Sequence, residues 1–250
     1  MVVSFTILEQ NSMKSHLLFL FTLLFFIHFN CWGQPKQGLK YPVRTHSLPR
    51  YLEEVAERPN LLMVDPQSSV PDIQYDLRYA TLENFMGKRM YPRNTQTSFL
   101  RLPAAQALKQ LADSLRPLGV GIKIFDAYRP FKVTARFWRL IHDERYVANP
   151  SRGSGHNRGI AVDLTLIELS TGKELNMGTG FDNFSDTAHH SFYGLPAEVI
   201  HNRMLLRNSM KSVGFIALET EWWHYSLPNP SEYTILDIPF RKLKKQLLKK

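Results

Sequence analysis

Two short runs hold the residues that could do chemistry. S-G-H-N-R-G-I-A-V-D, Ser154 to Asp163, supplies His156 and Asp163. E-T-E-W-W-H, Glu219 to His224, supplies His224, with Glu221 three residues before it. Two imidazoles and one carboxylate suit a catalytic zinc, because three protein ligands leave one tetrahedral position for water. A carboxylate beside that water can act as a general base. Taken singly, each residue has an ordinary structural use. His156 reads as a surface loop histidine, and His224 equally as a core histidine bonded to backbone. Asp163 sits on an apolar strand, where an unpaired carboxylate is costly, so a buried salt bridge explains it as well as a metal does. The H-E-x-x-H helix of the commonest zinc proteases is absent from the sequence. Only jointly do the two segments supply two His, one carboxylate and a base.

Regular elements must bring these segments together. Ile73 to Thr81 alternates as a strand does. Pro103 to Leu115 predicts a helix: Ala104, Leu108, Leu111 and Leu115 share a face, Pro103 suits the first turn, and Gly119 follows the end. Val120, Ile122 and Ile124 alternate as a strand running into D-A-Y-R-P, Asp126 to Pro130. Phe131 to Arg145 predicts a second helix and Asn149 to Gly155 a loop. Ile160, Val162, Leu164 and Leu166 predict a strand with Asp163 on the face opposite Val162. Pro196 to Val213 predicts a third helix stopped by Gly214, and Phe215 to Leu227 a strand with a turn near Glu221. This mixed order, without regular βαβ alternation, predicts an α+β fold: one domain, with a mixed or antiparallel central sheet flanked by helices.

A chain of 250 residues suffices for one domain with a substantial core. The run Leu17 to Ile27 behind Lys14 is apolar but too short to span a membrane comfortably, so residues 1–33 read as a signal peptide cleaved after Gly33. Lipid attachment at Cys31 and a retained anchor are the alternatives. Export to the periplasm or envelope of a bacterium follows as an expectation. Cys31 is the one cysteine, so with the leader removed the mature protein has no thiol and any metal must be held by His, Asp and Glu. Residues 34–71 read as an extended arm, 72–240 as the domain, and 241–250 as a basic tail. That tail holds six of the cations behind the net charge of +9, which leaves about +3 elsewhere. The tail reads as a solvated extension, with weak attraction to anionic envelope polymers as its functional alternative. No aromatic interleaving points to nucleic acid.

The combined blocks resemble a known family. S-x-H-x-x-G-x-A-x-D, here Ser154, His156, Gly159, Ala161 and Asp163, looks like the signature of the zinc D-alanyl-D-alanine dipeptidases. These belong to the group sharing the hedgehog-type or D,D-carboxypeptidase zinc fold. E-x-W-H, Glu221 to His224, is similar to the family's second block, and D-A-Y-R-P to its arginine motif. M-G-T-G-F-D, Met177 to Asp182, is similar to a block specific to the dipeptidase branch, and D-L-R-Y-A-T, Asp76 to Thr81, to the N-terminal block.

The resemblance implies one zinc per chain, held by His156, Asp163 and His224, with Glu221 as base and Arg129 stabilising the transition state. It implies substrate contacts at Tyr79, Ser154 and Asp182, with Asp182 near the free amine of a small D-dipeptide, and hence a role in peptidoglycan turnover. Gly155 departs from the pattern, because a second small polar residue is common there. The leader is a larger departure, since well-known resistance dipeptidases of the family look cytoplasmic. Glu219 lacks the E-x-x-H spacing that favours Glu221 as base. The adjacent His189 and His190 point apart in an extended segment and so predict no second metal site. The rival readings are a D,D-carboxypeptidase or wall endopeptidase of the same fold, and a non-catalytic zinc-dependent binding module.

Overall fold

The computed structural model describes residues 41 and 43–247. The expected leader, residues 1–33, lies outside them. In chain order the elements are β1 (Thr45–His46), α1 (Leu48–Glu57), β2 (Met63–Val64), β3 (Gln74–Tyr75), β4 (Leu100–Arg101) and α2 (Leu102–Leu115). There follow β5 (Val120–Asp126), α3 (Phe131–Ile141), α4 (Gly155–Arg158), β6 (Ala161–Glu168) and α5 (Ala197–Ser212). The chain closes with β7 (Ile216–Ala217), β8 (His224–Ser226), β9 (Ile235–Leu236) and α6 (Phe240–Leu247). The fold is α+β, built on a five-stranded mixed sheet of order β3-β5-β6-β8-β7. Within that sheet only the β3–β5 pair is parallel, and β1 pairs with β9, also in parallel, outside it.

Apolar residues at helical spacing on α2 and α5 meet the period-two apolar face of the sheet. Leu108, Leu111, Leu206 and Met210 pack there with Ile122, Ile124, Val162, Leu164 and Leu166, all essentially inaccessible. A second, aromatic cluster joins Tyr51 of α1, Tyr79, Tyr91, Phe99, Tyr128, Phe137 and Phe240. Phe181 packs against both clusters, and the site lies along their junction.

The sheet register does the positioning. Asp126 on β5 pairs with Asp163 on β6, and Asp163 pairs with His224 on β8. Three polar residues from distant parts of the sequence thus stand side by side at one end of the sheet. An irregularity between Ile124 and Asp126 shifts the β5 register just before this point, as bulges beside functional sites do.

Several expectations need correction. The stretch 34–71, read as an extended arm, contains α1, β1 and β2, and Tyr51 of α1 is buried, with its hydroxyl accepting from the Met63 amide at 2.7 Å. The basic tail is not simply solvated: its described residues, 241–247, continue α6, where Leu243 is buried with Phe240 in the aromatic cluster. The strand expected over Ile73 to Thr81 pairs only at Gln74–Tyr75, then tightens into a 3₁₀ turn at Arg78–Ala80. The helix expected to reach Arg145 stops at Ile141. His142 turns left-handed (φ 52°), and the Asp143 carboxylate accepts from the Arg145 amide, offering the backbone a turn instead.

Candidate active site

His156 rides on α4, a single turn shaped by its own sequence. Ser154 caps it: its hydroxyl accepts from the Asn157 amide at 3.3 Å, while Asn157 Oδ1 accepts from the Ser154 amide at 3.1 Å. Gly159 ends it at φ 72°, where a Cβ would lie 2.6 Å from Met63 Sδ. The side-chain Nδ2 of Asn157 donates to the Arg129 carbonyl and to Thr134 Oγ1, both at 2.8 Å. The Arg129 amide donates to the His156 carbonyl at 3.1 Å, so α4 and the D-A-Y-R-P turn hold each other.

His156 Nδ1 lies 2.7 Å from the Ala127 carbonyl, the arrangement that fixes a ring tautomer and turns Nε2 outward. That Nε2 lies 3.2 Å from His224 Nδ1 and 3.4 Å from Asp163 Oδ1, and His224 Nδ1 lies 2.8 Å from Asp163 Oδ1. Zinc bonds of about 2.0–2.1 Å in a tetrahedron require ligand atoms roughly 3.3 Å apart, so the three atoms span one face of such a site after slight expansion. The donor set, two imidazole nitrogens and one carboxylate oxygen, fits zinc. Burial opposes the Asp163 charge, yet the two imidazoles hold its carboxyl below the usual range. Burial likewise opposes a charge on His224, and Asp163 outweighs it, raising the imidazole. Such mutual dependence is relieved by a cation at the centre.

All eight residues singled out in the sequence line one cleft of about 660 Å³: Tyr79, Arg129, Ser154, His156, Asp163, Asp182, Glu221 and His224. Glu221 sits in the turn before β8, and burial raises its carboxyl above the usual value. Glu219 pairs instead with Arg207 at 3.2 Å on the exposed side. Arg129 is 8% exposed and stands over the Tyr79 and Phe137 rings, 5.2 and 5.0 Å from their centroids. Its Nε and Nη2 donate to Asp126 Oδ2 at 3.0 and 2.7 Å, which leaves Nη1 for a further acceptor.

Asp182 faces this array from a left-handed backbone position (φ 61°). Its Oδ1 accepts from the Tyr79 hydroxyl at 3.0 Å, while Oδ2 is buried with no partner. Burial, then the charge of Asp163, pushes its carboxyl well above the usual range. A cation beside Oδ2 would relieve both the missing bond and the charge. Gly155, the departure from pattern, has a local cause: a Cβ there would meet Ala161 Cβ at 2.8 Å and Ser226 Oγ at 2.9 Å. Trp222 and Trp223 are buried edge to face beside the cleft, and Trp223 lines it. His189 lines the cleft while His190 faces away from it, into another cavity.

Asp126 and Asn157 were not singled out from the sequence. Asp126 precedes Arg129 by three residues inside the quoted motif, and that acid–arginine spacing was the available signal. Asn157 stands three residues after Ser154, the spacing of a capping box.

A largely buried His–Asp–His cluster in a cleft, with a carboxylate and an arginine close by, has the donor set and the neighbours that a hydrolytic metal centre needs. The comparisons narrow the class. Residues 60–245 match the D-ala-D-ala dipeptidase family of peptidases, and this chain belongs to that family. It is 35% identical to the D-alanyl-D-alanine dipeptidase of Escherichia coli over 174 residues, 70% of this chain and 89% of that protein. It is 32% identical to the D-alanyl-D-alanine dipeptidase of Enterococcus faecalis over 182 residues, 64% of this chain and 90% of that protein. Among solved structures it is similar to a VanY D,D-pentapeptidase variant in complex with Zn(II), at 18% identity and TM-score 0.33, covering 55% of this chain and 77% of that one. It is also similar to the LD-carboxypeptidase LdcB, at 20% identity and TM-score 0.35, covering 59% and 69%.

Proposed function

We propose that this chain hydrolyses free D-Ala-D-Ala, or a closely similar small D-dipeptide, with one zinc held by His156, Asp163 and His224. Zinc held there would supply Lewis acidity and a lowered water pKa. Glu221 takes the proton of the attacking water and passes it to the departing amine; burial, which raises its carboxyl, suits a group that must both accept and return a proton. Arg129 keeps its charge at any working pH and presents Nη1 to the developing oxyanion, while Asp126 fixes the rest of the fork. Asp182 Oδ2 binds the ammonium group of the dipeptide, and Tyr79 orients the carboxylate through Oδ1. Ser154 lines the same cleft and contacts the substrate beside the metal site.

The observation that carries the reading is the unpartnered Asp182 oxygen in the same cleft as the His–Asp–His cluster. It supports a substrate with a free amine over an internal peptide bond. The test is Glu221→Gln: zinc content stays at one per chain and kcat falls by at least about 10³-fold, within the range of general acid–base contributions. Full activity in the variant contradicts the assignment.

The apolar run Leu17 to Ile27 supports export to the envelope. An exported enzyme cannot deplete a cytoplasmic dipeptide pool, so the role is salvage of dipeptides released in peptidoglycan turnover. Cell fractionation tests this: intact leader on cytoplasmic protein contradicts it.

A further inference from the structure

Beyond the His189–His190 pair lies a second cavity of about 580 Å³, separate in its lining from the catalytic cleft. One wall is α5, whose Arg203, Arg207 and Lys211 recur at i, i+4 and i+8 and so form a single basic stripe. Arg203 is 6% exposed. Its Nε donates to the Met177 carbonyl at 2.7 Å and its Nη1 to the His189 carbonyl at 3.2 Å. Its Nη2 is buried with no acceptor, and among the described residues no carboxylate pairs with it. His190 Nε2, on the same cavity, is also buried without a partner.

A buried guanidinium without a counter-charge is strongly unfavourable, as is a buried donor left unbonded. Backbone carbonyls satisfy two of the three Arg203 nitrogens but contribute no net charge. An anion between Arg203, Arg207 and Lys211 supplies the absent acceptor and the absent charge together. Arg207 already contacts Glu219 at 3.2 Å, but on its exposed side, where such a pair is worth little.

The cavity rim is apolar. Tyr193, Met204 and Ile216 line it, and all three rank among the large hydrophobic side chains that the described residues leave exposed. Such a patch beside a buried cation suits a ligand with an apolar body and one charged end.

We propose that this cavity binds a small organic oxyanion, a carboxylate or a phosphate monoester carried on an apolar group. Titration calorimetry of the zinc-loaded protein with benzoate, phenyl phosphate and benzyl alcohol tests it. Both anions share the required chemistry, and the tighter of the two identifies its source as a carboxylate or a phosphate ester. Benzyl alcohol is the uncharged control. The expected result is saturable binding of at least one anion, with the affinity at least tenfold weaker in the Arg207→Met, Lys211→Met double variant. That variant keeps its kcat/KM for D-Ala-D-Ala within twofold, which shows that it folds and that the binding is not in the catalytic cleft. Arg203→Met abolishes the binding. Absence of saturable binding, equal affinity in wild type and double variant, or equal binding of benzyl alcohol overturns the proposal.

Discussion

Tyr79 and Asp182, 103 residues apart, meet through a 3.0 Å hydrogen bond that commits one carboxylate oxygen and leaves the other buried and unbonded. This arrangement is unfavourable without a ligand, and it makes a testable separation of stability from function. Asp182→Asn removes a carboxyl whose charged form burial and Asp163 disfavour, and keeps a residue type that tolerates the left-handed backbone. The variant should unfold about 1 kcal/mol later in the absence of substrate, yet show a KM for D-Ala-D-Ala raised about 10²-fold, as for loss of a buried charge partner. Tyr79→Phe should raise KM only about 3- to 10-fold, the worth of one hydrogen bond. Urea unfolding and steady-state kinetics on the same preparations check both.

The His156, Asp163 and His224 atoms face one another at 2.8–3.4 Å. A metal that binds only the folded state stabilises it by about 4 kcal/mol when its free concentration is a thousand times Kd. Zinc should therefore raise the Tm of metal-free protein by several degrees. His156→Ala should abolish the increase, since two remaining ligands hold zinc poorly. An unchanged zinc response in His156→Ala contradicts the ligand assignment.

Much of this was legible in local sequence, and what was not has identifiable causes. Asp163 and His224 stand in segments whose alternation marks strands, so their register across β6 and β8 follows from pairing the apolar faces. The Tyr79–Asp182 bond has no local signal, because it joins a 3₁₀ turn to a left-handed loop residue 103 positions away. The helix α1 escaped notice because its own residues include Pro49 and only one buried position, Tyr51. Its anchoring is tertiary: the fully buried Arg101 donates to the Leu61 carbonyl at 2.6 Å and to Thr234 Oγ1 at 3.0 Å, and lies 3.7 Å from Glu54 of α1. In α6 the cations dominate the composition and hide the i, i+3 pair Phe240 and Leu243, which docks it.

The glycine at 155 should be replaceable only at a cost, even by a small polar residue. Gly155→Ser puts a Cβ within 2.9 Å of both Ala161 Cβ and Ser226 Oγ. Overpacking of this kind costs about 1–3 kcal/mol. Chemical denaturation should show that loss; an unchanged midpoint contradicts the packing argument.

His190 provides a pH prediction. Burial pushes its imidazole down to about 4, below the unfolded value of about 6.5. The unfolded chain therefore binds a proton first as the pH falls, and the stability contributed by the neutral buried ring is present above pH 6.5 and lost between there and pH 4. The Tm of wild type should decline across that window, and His190→Gln should flatten the decline. Parallel curves for the two proteins contradict it.

The central claim is that a zinc centre and a free-amine site share one cleft. The most direct test compares kcat/KM for D-Ala-D-Ala and for N-acetyl-D-Ala-D-Ala with the same zinc-loaded enzyme. The ammonium bound at Asp182 predicts a preference of at least about 10²-fold for the free dipeptide, the worth of a buried charge pair. Equal values for the two substrates would contradict the account and favour a carboxypeptidase acting on longer chains.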